Sequence, residues 1–422
     1  MATSQTGLSW RGFPLLLGCT LALLFMVLTP SGGTAQTGSP KSQERARDPV
    51  NRLRMRIDAG EVQLAYDSIR GYVPALLAAL DIPISSQNLV FSRTSLQTDR
   101  IGPWAPRALY FSDDVYVGWV QESPIIEIAS MSLSRGAVFF TLLQNPEGPP
   151  RFEREGTTCL MCHESRITGN VPGLIMRSVL ADRLGYPSKE VHQGQTTDRT
   201  AFEKRWAGWY VTGTHGIPGH AGNTRAPELD SDIRDRSDYL SSFDFHAGGN
   251  VTDLSDNFDV ERYLTPHSDI VSLMVLTHQV QVHNLITLVR KGGFAAVDRL
   301  VRAMLFVDEA TLPGPVQGTS TFVEDFTARG PSDSQGRSLR DFDLEQRLFR
   351  YPLSFLIYSD QFDALPDFAL NHIYDRLGEI LTVAEPGEDF VHLSAPDRRA
   401  IYEILLATKP AFADRMSEVE VP

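Results

Sequence analysis

The chain has 422 residues, 42% of them hydrophobic and 22% charged, with a formal net charge of −13. That length is enough for two or three domains and a large core, while the acidic balance argues against nucleic acid as a partner. Only three cysteines are present, so a disulfide framework is excluded and stability must come from packing.

Residues 1–35 read as an export signal. Arg11 is their only charge, and an apolar run from Phe13 to Leu28 is followed by Thr29-Pro30-Ser31-Gly32-Gly33 and then Thr34-Ala35. Small residues before Gln36 place cleavage after Ala35. The rival reading is an uncleaved membrane anchor, but the run is short for a span and contains Pro14. Leu16-Leu17-Gly18-Cys19 has the outline of a lipoprotein box, yet apolar residues continue past the cysteine. Removal of this segment would leave Cys159 and Cys162 as the only thiols. Residues 36–48 are polar and basic and read as a linker.

A first folded region is expected over 49–150. Val50, Leu53, Ile57, Val62, Tyr66 and Ile69 recur at near-helical spacing, and Ala75 to Leu80 continues helically after Gly71 and Pro74. From Leu89 the period becomes strand-like. Leu89–Phe91, Ala108–Phe111, Val115–Val120, Ile125–Ala129 and Ala137–Leu143 are short aromatic and branched runs. Asp113-Asp114 and Glu122-Ser123-Pro124 fall between them as turns. Asp113 and Asp114 are also candidate acids, a hairpin turn being the simpler role. Asn145-Pro146-Glu147-Gly148-Pro149-Pro150 reads as a boundary.

Region 151–310 holds the chemistry. Cys159-Leu160-Met161-Cys162-His163 has the form C-x-x-C-H. Two thiols one helical turn apart can each add to one vinyl group of a porphyrin, and the adjacent histidine can ligate its iron. The pattern leaves other readings open: a redox dithiol, a plain disulfide, or half of a zinc site completed by His215 and His220. None of these accounts for His163 directly after the second cysteine.

Downstream, Met176 and Met161 read as packing residues rather than iron ligands. The stretch 208–223 carries five glycines and the histidines His215 and His220, as a loop lining a cofactor edge or substrate channel would. Residues 224–262 read as a polar surface excursion. Ser268-Asp269 then opens a long, charge-poor helix reaching Ile286, ended by Lys291-Gly292-Gly293. It bears His278 and His283. Five positions place them about 140° apart around the axis, so one metal is not expected to take both.

Val297 to Phe306 reads as helix, 311–337 as a loop or insertion, and 338–422 as a C-terminal helical region. In that region Phe368–Thr382 is amphipathic and Ser394 caps a final helix. The expected fold class is α+β: a small antiparallel β region followed by a mainly α-helical haem-binding region.

The five-residue motif resembles that of c-type cytochromes. The resemblance implies one covalently attached haem c, held by Cys159 and Cys162 with His163 as proximal iron ligand. It also implies export, because haem c is attached after secretion. Candidate distal ligands are His278 and His283, with His215, His220 and Met274 behind them. The implied function is periplasmic electron transfer or haem-based redox catalysis with a redox partner protein or small-molecule oxidant. An enzymatic reaction, such as peroxide reduction, is left open. The alternatives are a haem-based gas or redox sensor, and a non-haem exported protein with a disulfide or zinc clamp. Dihaem peroxidases are of similar size but carry two such motifs, so their electron relay does not transfer to this chain.

Overall fold

The structure is a computed structural model and describes residues 47–226, 244, 249–292 and 294–418. The export-signal segment and most of the linker lie outside the described residues. Among the described residues, no helix is long and apolar enough to cross a membrane.

Alternating side chains build a seven-stranded antiparallel sheet. Strands β1 (Asn88–Val90), β2 (Arg107–Phe111), β3 (Val115–Trp119), β4 (Ile125–Ser132), β5 (Gly136–Leu143) and β6 (Arg151–Glu155) form a meander. A two-stranded sheet of β7 (Ser178–Ala181) and β8 (Pro187–His192) follows, and β9 (Trp209–Tyr210) returns to the large sheet beside β1. The order is β6-β5-β4-β3-β2-β1-β9. The turn at 145–150 lies inside this sheet, since β6 pairs with β5 from Leu143↔Arg151 to Phe139↔Glu155.

The pleat sends alternate residues to opposite faces, and both faces are buried. Val138, Phe140 and Leu142 of β5 face one hydrophobic cluster. Helices α1 (Pro49–Asp58) and α2 (Val73–Ala79) cover it with Val50, Leu53, Val73, Leu76 and Leu77. Ala137 and Phe139 face the other cluster. Asp48 fastens α1 at both ends of its carboxylate: one oxygen accepts from Asn51 N–H at 2.8 Å and the other from the Ser130 hydroxyl at 2.6 Å. The helical reading of Val62, Tyr66 and Ile69 does not hold. Gly60 takes φ +74 and ends the helix, and Tyr66 and Ile69 are exposed.

A short helix, α3 (Thr157–His163), follows β6 directly. The second face of the sheet is covered by α4 (Ile270–Arg290). Asp269 caps α4 as expected, accepting from Val271 N–H at 2.8 Å, while its other oxygen accepts from Thr319 and Ser320 N–H at 2.8 Å each. The helix is buried on nearly every side, which explains its lack of charge. Beyond it lie α5 (Phe294–Met304), α6 (Phe322–Thr327), α7 (Asp360–Asp363), α8 (Asp367–Thr382), α9 (Ala395–Thr408) and α10 (Pro410–Glu418). α5 packs on α4, α8 on α5, and α9 and α10 on α8. The capping box of α9, formed by Ser394 and Asp397, matches the sequence reading. The fold is α+β, with an antiparallel sheet in the N-terminal half and helices in the C-terminal half.

Candidate functional site

Positions i, i+3 and i+4 of a helix share one face, and Cys159, Cys162 and His163 occupy them on α3. The thiols form no disulfide; Cys159 is half-buried and Cys162 exposed. Cys159 packs against the core. Burial first, then the carboxylates of Glu155 and Glu127 and the Cys162 thiol, push its pKa up to about 11, with Arg107 opposing.

His163 is gripped from two directions. Its backbone carbonyl accepts from Gly173 N–H at 2.8 Å, and its ring Nδ1 donates to the Gly173 carbonyl at 2.9 Å. A carbonyl only accepts, so the ring proton sits on Nδ1 and Nε2 carries the lone pair. The ring packs against Phe139 of β5, with centroids 4.6 Å apart. Burial lowers its pKa, opposed by the Gly173 carbonyl, so the imidazole is neutral at pH 7. Metal-bound histidines show this arrangement: one nitrogen is tied to a carbonyl and the other offered to the ion.

Gly173 is held in turn by α4. Asn284 Oδ1 accepts from Leu174 N–H, and Asn284 Nδ2 donates to the Leu174 carbonyl, both at 2.8 Å. A Cβ on Gly173 would lie 2.3 Å from Asn284 Oδ1, so glycine is required by close approach rather than by a turn. Pro172 is pinned to the sheet, its carbonyl accepting from Ala137 N–H at 3.0 Å. By composition the segment 166–173 reads only as a loop. The signal for its role was Gly173 itself, but nothing local says which side chain approaches it.

A cleft of about 300 Å³, open to solvent, lies beside the motif. It lies past the end of β6 at Glu155, where Pro172 takes over the edge of β5. Phe139, Leu160 and Pro172 give it apolar walls. The size is at the lower end of pockets that take small organic ligands.

The other histidines are placed elsewhere. His278 is fully buried, with Nδ1 2.7 Å from Asp198 Oδ2 and Nε2 2.8 Å from Ser354 Oγ. Both of its nitrogens are therefore engaged. His283 donates from Nε2 to the Asp113 carbonyl at 2.8 Å, beside Gln279, which holds the Ser112 carbonyl at 2.7 Å. These two α4 residues secure the β2–β3 turn. Burial pushes the His283 pKa down to about 4. No hydrogen bond or ring contact among the described residues joins His278 or His283 to His163.

The rings of His215 and His220 pack tilted, 4.8 Å between centroids, with Phe202 against both. His215 Nδ1 donates to the Gly216 carbonyl at 2.8 Å and its Nε2 is buried without a partner. The close approaches of this glycine loop are to protein: a Cβ on Gly216 would lie 2.2 Å from the Pro313 carbonyl, and one on Gly213 would lie 2.4 Å from Ile270. Among the described residues, no group of three or more His, Cys, Asp or Glu side chains is arranged to hold a metal ion. Met176 and Met274 are buried in the core, while Met161 is 71% exposed on α3.

Asp113 and Asp114 lie in the β2–β3 turn. Asp113 pairs with Arg340. Asp114 is pushed up to about 7 by burial, then by Asp113 and Asp360, with Gln361 and Arg52 opposing. Its folded pKa thus exceeds the ordinary carboxylate value of 3.8. The folded state holds this proton more tightly, so its contribution to stability is full below pH 4 and is lost as pH rises through 7. Glu309, pushed up to about 8 mainly by burial, acts in the same direction. Urea midpoints should therefore fall between about pH 5 and about pH 8.5, and Asp114→Asn with Glu309→Gln should flatten that fall. An unchanged slope in the double variant would show that these groups are not responsible.

Comparison with family models, curated proteins and solved structures finds no match for this chain. What can be stated of its class is the α+β fold; a function must be argued from the motif and its surroundings.

Proposed function

We propose that this chain is an exported protein carrying one covalently attached haem c and working in redox chemistry. The observation behind the proposal is the set Cys159, Cys162 and His163 on one helical face, with His163 held so that Nε2 is on offer. In this reading the two sulfurs hold the haem as thioethers and His163 Nε2 ligates the iron. When bound, the haem supplies a one-electron couple at its iron.

The chain supplies orientation and surroundings. Gly173 keeps the ring proton on Nδ1, which fixes the tautomer and strengthens Nε2 as a donor. Phe139 buries one side of the imidazole. Asn284 transmits the rigidity of α4 to the 172–174 segment. The N-terminal segment 1–35, read as an export signal, fits attachment outside the cytoplasm.

In the same reading neither histidine of α4 is joined to His163 in this fold, which would leave a bound haem open to a small molecule. His278 is engaged at both nitrogens, and His283 holds the β2–β3 turn. That points to redox catalysis or gas binding more than to simple electron carriage. A gas sensor shares the open position and is separated from an enzyme by the absence of turnover with peroxide.

The test is an absorption spectrum of protein matured in the periplasm, oxidised and reduced, with and without carbon monoxide. A high-spin ferric band and carbon monoxide binding to the ferrous form are expected. A low-spin spectrum insensitive to carbon monoxide would refute the open position and leave haem attachment standing. Absence of any haem band would refute the proposal itself.

A further inference from the structure

Around Arg93 the surface carries large apolar side chains that neither the core nor the motif uses. Trp104 is 51% exposed and Tyr186 50% exposed, and Leu96 and Leu184 in the same loops are exposed as well. Tight turns present the two rings. Gly102 and Ala105 exchange backbone hydrogen bonds at 3.2 and 3.0 Å. The Trp104 ring lies over Gly102, where a Cβ would come within 3.0 Å of it. The β7–β8 turn is closed by Asp182, whose carboxylate accepts from Leu184 N–H at 2.8 Å and from Tyr186 N–H at 2.9 Å. The turns are also locked together. Arg93 N–H donates to the Gly185 carbonyl at 2.8 Å, and a Cβ on Gly185 would lie 3.2 Å from Gly102 Cα. The Arg93 guanidinium stands 4.3 Å from the Tyr186 ring centre and 5.9 Å from that of Trp104.

The charges at this place run against the chain's net charge of −13. Arg93 and Arg100 belong to one loop and Arg183 to the β7–β8 turn, with Arg100 and Arg183 exposed. Most carboxylates nearby are occupied. Asp182 closes its own turn, Glu190 pairs with Arg177, and Glu122 pairs with Arg262. Asp99 is the one acid of the 93–100 loop.

From this arrangement we infer that the face built by Trp104, Arg93 and Tyr186 docks on an anionic lipid surface. The chain lies on the membrane there and does not span it. The inference is independent of the haem reading. Tryptophan and tyrosine carry an apolar body and a polar tip, which suits the boundary between headgroups and acyl chains. Arginine stems run along apolar surface while their heads meet lipid phosphates. Apolar side chains on turns suit a soft surface that closes around them, whereas a protein partner needs a shaped counter-surface. The hydrogen-bonded turns hold the rings before docking, so little ordering is left to be done on binding.

The probes are vesicles of equal parts phosphatidylglycerol and phosphatidylcholine, and vesicles of phosphatidylcholine alone, each mixed with the full chain. Sedimentation reads binding, and bromine on the acyl chains reads insertion by quenching tryptophan. Trp104 is the exposed tryptophan among the described residues, since Trp119, Trp206 and Trp209 are buried. Binding to the mixed vesicles with quenching is expected, and roughly tenfold weaker binding to phosphatidylcholine alone. Trp104→Ser with Tyr186→Ser should weaken binding roughly tenfold or more. Arg93→Gln with Arg183→Gln should lose the preference for anionic vesicles. Phe368→Ser, which removes an exposed ring on α8, should change nothing. Absence of binding by the unmodified chain would overturn the inference and leave the rings to a protein partner. Binding without quenching, or binding that survives loss of both rings, would overturn it as well, because charge alone or the N-terminal segment would then account for it.

Discussion

Replacing both Cys159 and Cys162 by alanine is expected to abolish covalently bound haem in protein matured in the periplasm. The effect should be all or none, because each thioether needs its own sulfur and the described residues include no third thiol. Each single variant should keep one bond, with haem held less completely. His163→Ala should behave differently. It would remove the proposed iron ligand and not the proposed anchors, so colour should survive in part while the spectrum changes. Gly173→Ala tests the supporting shell: its Cβ would collide with Asn284 Oδ1, displacing the carbonyl that orients His163. Loss of a partner at this level typically weakens metal affinity by roughly 10–100-fold. The measurement is acid–acetone extraction followed by a pyridine haemochrome spectrum. Haem that resists extraction from the double alanine variant would sink the assignment of Cys159 and Cys162 as anchors.

The site was legible in the sequence where its information is local. Cys159, Cys162 and His163 depend only on spacing within one helical turn. The sheet was legible from β1 to β5 because period-two apolar residues mark buried strands and Asp113-Asp114 and Glu122-Ser123-Pro124 mark the turns between them. β6 was not, because Arg-Phe-Glu-Arg-Glu has no apolar alternation. It is an edge strand, and edges carry charge to discourage further pairing. Its last two residues, Arg154 and Glu155, line the cleft beside α3, so one wall of the cleft comes from the element that sequence patterning hides best. Gly173 lies ten residues from His163, and Asn284 lies 110 from Leu174. Such long-range contacts are set by tertiary packing and leave no trace in spacing.

His278 shows the same limit from the other side. A histidine inside an apolar helix announces that it needs a partner but not which one. Its partners lie 80 and 76 residues away in sequence. The resulting chain, Asp198–His278–Ser354, has the connectivity of a nucleophilic triad: carboxylate to Nδ1, Nε2 to hydroxyl. Its surroundings oppose that role. Ser354 and His278 are fully buried. Ser354 Oγ also accepts from Leu356 N–H at 3.4 Å, and its own N–H donates to the Met304 carbonyl at 2.7 Å. Phe306 stacks on His278 at 4.3 Å between centroids. The hydrogen-bonded chain therefore ties three segments together: the loop bearing Asp198, α4, and the turn at Ser354.

Breaking this connection should cost more stability than any substitution in the C-x-x-C-H helix. Asp198→Ala removes the carboxylate and leaves Nδ1–H buried without an acceptor, at a cost of about 3–5 kcal/mol if the pair carries charge. Against a total stability of about 5–15 kcal/mol, that would unfold much of the protein under mild denaturant. Ser354→Ala removes one neutral hydrogen bond and should cost about 1 kcal/mol. The expected order of urea midpoints, from highest to lowest, is unmodified, then Ser354→Ala, then Asp198→Ala. A fluorophosphonate, which labels activated serines, should not modify Ser354 in the folded protein. Labelling of Ser354, with Asp198→Ala folding as stably as the unmodified protein, would mean that this trio is accessible and built for acyl transfer. Absence of labelling together with a large loss of stability would mean that His278 serves the fold.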